Sequence, residues 1–291
     1  MTFQMGASLS QSSFALCFAF YLAVCATPSF AAENPQAAGL QEQIVETKPR
    51  EGVYQRSLLS RKTSQGASQG ETWLVLAFPG YPGILRLNET DGVIDYQLKG
   101  NFLVRARRHL VTADIAVATL DCPSDELSTC GDEYRASDRH IRDVEAQIVA
   151  LKAIVGPSVR VALLGTSYGT VSTELLAQRL EGKVDAAVHT ASFTAPGRGG
   201  HGLSVANFDL TQTKTRQLLV HHQDDPCDLT PYAPLKKYQG IIPILTVKGA
   251  ENPRGKPCEA ASQHGFIGRE IPVMKQIGVW LLTNRINPVI E

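Results

Sequence analysis

The pentapeptide Gly165-Thr166-Ser167-Tyr168-Gly169 lies between an apolar run at residues 159–164 and an amphipathic stretch at residues 168–180. A serine at a sharp turn from a buried strand into a helix is held in a strained conformation that only small neighbours permit, which accounts for Gly165 and Gly169 on its flanks. The helix start offers backbone N–H groups and a positive dipole end to an oxygen that is gaining negative charge. Ser167 is therefore the candidate nucleophile; the competing reading is a serine that only caps the following helix.

A serine hydroxyl is a poor nucleophile at neutral pH and needs a base, itself oriented by a third group. Histidines stand at positions 109, 140, 189, 201, 221, 222 and 264. His109 and His140 fall on or beside helical stretches expected to face solvent, and His189 lies in a strand where a satisfied core histidine is expected. The histidines lack the paired spacing of a zinc protease motif, so no metal site is expected. Neither common nucleotide-binding loop occurs, and no organic cofactor is expected.

Strand-like runs and amphipathic stretches alternate from Val53 onward. Strands are expected at residues 73–78, 115–120, 159–164, 186–190, 217–221 and 244–247, and helices at 101–110, 138–154, 168–180 and 269–283. That alternation predicts an α/β domain, a mostly parallel sheet with helices on both faces. In the second helix, Ile141, Val144, Ile148, Leu151 and Ala153 recur near helical spacing and should face the sheet. Pro157 marks its end. Residues 190–217 leave little room for a helical cap, so a small or absent cap is expected, and the Gly-rich stretch 196–202 reads as a loop with the composition of a mobile flap.

With these marks in place, essentially the whole domain resembles the α/β-hydrolase superfamily, and among its members exported bacterial serine hydrolases of the esterase kind. The resemblance is carried by the Ser167 pentapeptide with Thr170, by Asp225-Pro226-Cys227 after the strand at 217–221, and by His264-Gly265-Phe266 before the last helix. It implies the chain order serine, acid, histidine. Asp225 is then the acid, with Asp224 as a rival, and His264 is the base; His221 and His222 precede the acid. It also implies an oxyanion hole made by the backbone amides of Tyr81 and Tyr168, with Gly80 where the family often has His-Gly and Pro79 in place of that histidine. Hydrolysis of a small-molecule acyl substrate, a carboxylic ester first, through an acyl-enzyme is the implied activity. A peptidase or amidase with the same triad and a non-catalytic binding protein of the same fold are the alternatives.

With Lys+Arg 28 against Asp+Glu 28, the chain has no basic field for nucleic acid. An uncharged apolar run at residues 14–24 followed by small residues reads as a signal peptide over 1–31, giving export to the periplasm or beyond and no stable membrane span after cleavage; lipidation at Cys25 is a subsidiary reading. Residues 32–50 are polar without sustained apolar period and read as a flexible segment, which leaves 51–291 as the hydrolase domain. Removal of the leader takes Cys17 and Cys25 and leaves Cys122, Cys130, Cys227 and Cys258. Spacing favours a Cys122–Cys130 disulfide, with Cys227–Cys258 remaining to tie the acid loop to the base loop. Oligomeric state is not legible.

Overall fold

Strands whose residues are apolar without alternation must be covered on both faces, and the computed structural model has that arrangement. It describes residues 1–2, 35–62, 71–195 and 209–291. The chain divides into two units, Met1–Ala32 and Glu33–Glu291, and the second carries every element below. The leader from residue 3 onward, Cys17, Cys25, His201 and the loop at 196–202 lie outside the described residues.

The strands are β1 (Leu40–Arg50), β2 (Val53–Lys62), β3 (Trp73–Phe78), β4 (Asn88–Thr90), β5 (Val93–Asp95), β6 (Ile115–Leu120), β7 (Arg160–Thr166), β8 (Ala186–Thr190), β9 (Arg216–His222), β10 (Ile244–Val247) and β11 (Val289–Ile290). The helices are α1 (Phe102–Ala106), α2 (Asp132–Arg135), α3 (Asp138–Val155), α4 (Thr170–Arg179) and α5 (Glu270–Thr283). Nine strands form one sheet in the order β1-β2-β6-β3-β7-β8-β9-β10-β11, and β4 with β5 forms a separate exposed hairpin. The β1/β2 and β2/β6 pairs are antiparallel; β3/β6 and the pairs from β3/β7 to β10/β11 are parallel.

Period-two geometry sends successive side chains to opposite faces. Trp73, Val75 and Ala77 pack with Phe102 of α1 and with Val273 and Trp280 of α5. Leu74, Leu76 and Phe78 pack with Val144 and Leu151 of α3 and Leu176 of α4. Each large side chain buried this way contributes roughly 1.5–3 kcal/mol. Helix α3 begins where Ser137 Oγ accepts the His140 N–H and ends at Gly156, whose φ of 146° suits glycine. Its buried face is Val144, Ile148, Leu151 and Val155, whereas Ala153 is exposed.

Three further expectations are corrected. Residues 40–50 are not a flexible segment but an 11-residue strand, paired with β2 from Leu40↔Lys62 to Arg50↔Val53. The polar sequence misleads because an edge strand is held by its ladder and by ion pairs: Arg50 reaches Asp125 at 2.7 Å and Asp143 at 2.8 Å, and Glu42 accepts from Arg107 at 2.7 Å. The folded unit therefore begins before residue 51. The helix expected over 101–110 is α only to Ala106 and tightens to a 3-10 turn at Arg107–His109. His140 is buried rather than solvated, packed between the rings of Phe78 and Tyr134.

Strand register brings the chemistry together. Phe78 pairs with Gly165, Thr166 with Thr190, Thr190 with Val220, and His222 with Val247. The loops after β3, β7 and β9 consequently leave the carboxyl edge of the sheet at one level, where open α/β sheets form their sites.

Candidate active site

Ser167 turns the chain from β7 toward α4 with φ of +53°, a value that side-chain-bearing residues avoid. Its flanking glycines are required by contact. A Cβ on Gly169 would lie 2.0 Å from the Phe78 carbonyl oxygen, and one on Gly165 would lie 2.7 Å from the Gly169 carbonyl oxygen. Thr170 Oγ1 donates to the Ser167 carbonyl at 2.7 Å and pins the turn. Tyr168 and Gly169 belong to a 3-10 turn, and α4 proper starts at Thr170.

Ser167 and His264 line one cavity of about 820 Å³, together with Gly80, Tyr81, Tyr168 and Phe193. The loop after β3 reaches the serine at Gly80, where an added Cβ would sit 3.1 Å from Ser167 Cβ. Tyr81 is 62% exposed at the mouth, whereas Tyr168 is buried with its ring tilted against that of Phe193. The Tyr168 hydroxyl donates to Asp132 Oδ1 at 2.6 Å; burial, with this bond, pushes the phenol above its ordinary range.

Asp225 is held by four neighbours. Its Oδ1 accepts the Cys227 N–H at 2.9 Å, and its Oδ2 accepts from Thr230 Oγ1 at 2.9 Å and from His264 Nδ1 at 3.0 Å. His221 Nε2 lies 3.5 Å from the same oxygen. Burial acts to raise the Asp225 carboxyl, but the hydrogen bond and charge of His264 outweigh it and hold the group below its ordinary value. With Nδ1–H committed to the carboxylate, His264 presents Nε2 as an acceptor. The imidazole is buried, its backbone N–H donates to Ser262 Oγ, and Arg105 Nη2 donates to the adjacent Gly265 carbonyl at 2.6 Å. Phe266, at φ +57°, packs its ring at a tilt against Phe102 and anchors the turn.

Asp224, the rival acid, is exposed, and its backbone N–H donates to His222 Nδ1. His221 is a buried support: Nδ1 accepts the Ser192 N–H and Nε2 donates to the Thr230 carbonyl, and burial pulls its pKa down to about 4 despite the nearby Asp225. His189 is a core histidine held by Thr173 and Gln217. Sequence reasoning missed Thr230, which touches both Asp225 and His264, because no motif marks a lone threonine.

Cys122 pairs with Cys130, and Cys227 with Cys258, at Cα separations of 5.8 and 4.6 Å. The second pair borders the cavity and joins the Asp225 loop to the His264 loop. Among the described residues, Cys227, Asp228 and Cys258 gather potential ligand atoms within 4.8 Å, but the two sulfurs are bonded to each other and neither is a thiolate.

A protein-family model described as "Alpha/beta hydrolase" matches residues 100–226, from the approach to α1 to the residue after Asp225. Over that stretch the sequence matches the family, and the chain has the α/β-hydrolase fold. No curated protein matches its sequence. Among solved structures, the chain is similar to Est1E from Butyrivibrio proteoclasticus, with a TM-score of 0.52 and 11% identity over 82% of this chain and 97% of that one. It is similar to the Pyrococcus furiosus esterase Pf2001, with a TM-score of 0.55 and 12% identity over 86% and 95%. The Pyrococcus horikoshii acylaminoacyl peptidase gives a TM-score of 0.52 at 11% identity, over 87% of this chain and 42% of that one. At such identities the likeness is one of fold.

Proposed function

We propose that this α/β-hydrolase is a serine hydrolase that cleaves a carboxylic ester with Ser167 as nucleophile, His264 as base and Asp225 as the orienting acid. The observation that carries the reading is the buried His264 Nδ1 to Asp225 Oδ2 contact of 3.0 Å, with His264 and the strained Ser167 on one cavity. In the first half-reaction Ser167 Oγ attacks the ester carbonyl while His264 Nε2 takes its proton. The tetrahedral oxyanion accepts hydrogen bonds from the backbone amides of Tyr81 and Tyr168, and its collapse expels the alcohol, protonated by His264. In the second, His264 takes a proton from water as it attacks the acyl-enzyme, and returns it to Ser167 Oγ as the second tetrahedral intermediate collapses and the acid leaves. Asp225 stays ionised and stabilises the imidazolium of both steps.

The likeness to two esterases over nearly their full lengths supports ester over amide. The peptidase likeness spans 42% of that chain and ranks an amide substrate second. The reading includes export to an oxidising compartment, supported by the two cysteine pairs and by the apolar run at residues 14–24.

The test is to treat the protein and Ser167→Ala with a fluorophosphonate probe and with p-nitrophenyl esters of increasing acyl length. The parent is expected to label and turn over, and the variant to do neither. A folded parent that does neither refutes the reading and favours a binding role.

A further inference from the structure

Behind the site lies a buried cation that the proposed reaction does not use. Arg135, the last residue of α2, is 3% exposed, and its described hydrogen bonds all go to uncharged acceptors. Nε donates to the Cys130 carbonyl at 2.7 Å, Nη1 to Ser172 Oγ at 2.5 Å and Nη2 to the Pro79 carbonyl at 3.3 Å. The guanidinium carbon stands 5.0 Å from the centre of the Tyr168 ring. Burial pulls its pKa down to about 10, so it stays charged at neutral pH. The fit is close: a Cβ on Gly83 would meet Nη2 at 2.6 Å.

A charge taken out of water with no carboxylate among its described hydrogen bonds is costly even where Asp132 favours it from a distance, and a core position filled only for packing would take an apolar residue. The partners of Arg135 point to another purpose. Pro79 directly precedes Gly80 and Tyr81, while Tyr168 directly follows the nucleophile and Ser172 lies on the helix that grows from it. One rigid fork therefore holds both segments that bear the proposed oxyanion amides, and its third bond ties them to the Cys122–Cys130 loop.

We infer that Arg135 is the positioning residue of the oxyanion hole, setting the spacing between the amides of Tyr81 and Tyr168 from behind the site. The inference rests on the serine-hydrolase reading above. Donors pre-set for the oxyanion act on the transition state and little on the bound ester, so a loosened hole lowers kcat and leaves KM nearly unchanged. Lysine keeps the charge but not the fork, and a misplacement on the order of 1 Å costs about 10²-fold in rate.

The experiment compares the parent, Arg135→Lys and Ser172→Ala by steady-state kinetics on a p-nitrophenyl ester. Active sites are counted by fluorophosphonate labelling taken to completion, and the dissociation constant of a trifluoromethyl ketone is measured as a mimic of the tetrahedral state. Arg135→Lys is expected to lose about 10²-fold in kcat per labelled site, with KM within about threefold and ketone binding weakened in step with kcat/KM. Ser172→Ala, which removes one bond of the fork, is expected to lose several-fold in kcat in the same pattern, and it carries the test alone should Arg135→Lys not fold. A loss confined to melting temperature or to KM, or ketone binding that stays at the parent value, overturns the inference. A parent without labelling or turnover instead refutes the serine-hydrolase reading, and the inference falls with it.

Discussion

Amidation of Asp225 changes one atom of the proposed triad, and its cost can be worked from the contacts. In Asp225→Asn, one end of the side chain must face the Cys227 N–H, a fixed donor, and the other must face His264 Nδ1 and the Thr230 hydroxyl, which can rotate. Turning the NH2 toward Cys227 would leave a buried donor unpaired, at about 1–3 kcal/mol, so the opposite flip dominates by roughly 5–150-fold. In that dominant flip the NH2 donates to His264 Nδ1 and drives the ring proton to Nε2, the atom that must accept from Ser167. The competent minority also lacks the charge that stabilises the imidazolium, a further factor of roughly 10–150 from a charged hydrogen bond worth about 1.5–3 kcal/mol. The expected fall in kcat is therefore about 10²–10⁴-fold, a range whose upper end matches the effect of amidating a triad aspartate in a serine protease. Stopped-flow or steady-state turnover of a p-nitrophenyl ester reads it directly, with labelling to count sites. Asp224→Asn is the control: its carboxylate is exposed, and kcat should stay within about twofold. Retention of kcat within tenfold in Asp225→Asn, or an equal loss in Asp224→Asn, would refute the argument.

Two further outcomes are expected. Burial pulls His140 down to about 3 and His189 and His221 to about 4. Their folded pKa values lie below the ordinary 6.5, so the stability they permit is intact above pH 6.5 and is lost as pH falls toward 4, at about 1.4 kcal/mol per pH unit for each histidine. His140→Phe should lower that slope by one histidine's share in urea unfolding at pH 7, 5.5 and 4.5, and an unchanged slope would count against a neutral buried imidazole. Replacing Cys227 and Cys258 together by serine opens a link across 31 residues of sequence, and loop entropy puts the loss at about 3–4 kcal/mol. Calorimetry should record a lower melting temperature and kinetics a lower kcat, because the link joins the loops of Asp225 and His264; no change in either would dismiss the tether.

The central sheet was legible because its strands are apolar on both faces: β3, β6, β8 and β10 have the limits expected from sequence. Strand β1 was not, since an edge strand shows water one polar side and draws its hold from backbone pairing and from Arg50 and Glu42. Helix α2 is too short to carry periodicity, which hid both Asp132 and Arg135. His140 misled because helical spacing does not reveal which flank of an amphipathic stretch meets a neighbouring strand and short helix, here Phe78 of β3 and Tyr134 of α2. Asp225 and Asp224 are adjacent in sequence, and only the turn that gives Asp225 the Cys227 amide, Thr230 and His264 separates them.

The pairing of β1 with β2 also bears on where the chain can be shortened. A protein trimmed to begin at Glu51 would uncover the ten-residue strand β2, whose row of amides and carbonyls would invite strand addition and aggregation. Among the described residues β1 is the terminal strand of the sheet on that side; its Gln41, Gln43, Glu46 and Lys48 are exposed and its Pro49 offers no N–H. A polar stretch that looks dispensable thus acts as a gatekeeper, and any recombinant version should start ahead of Leu40.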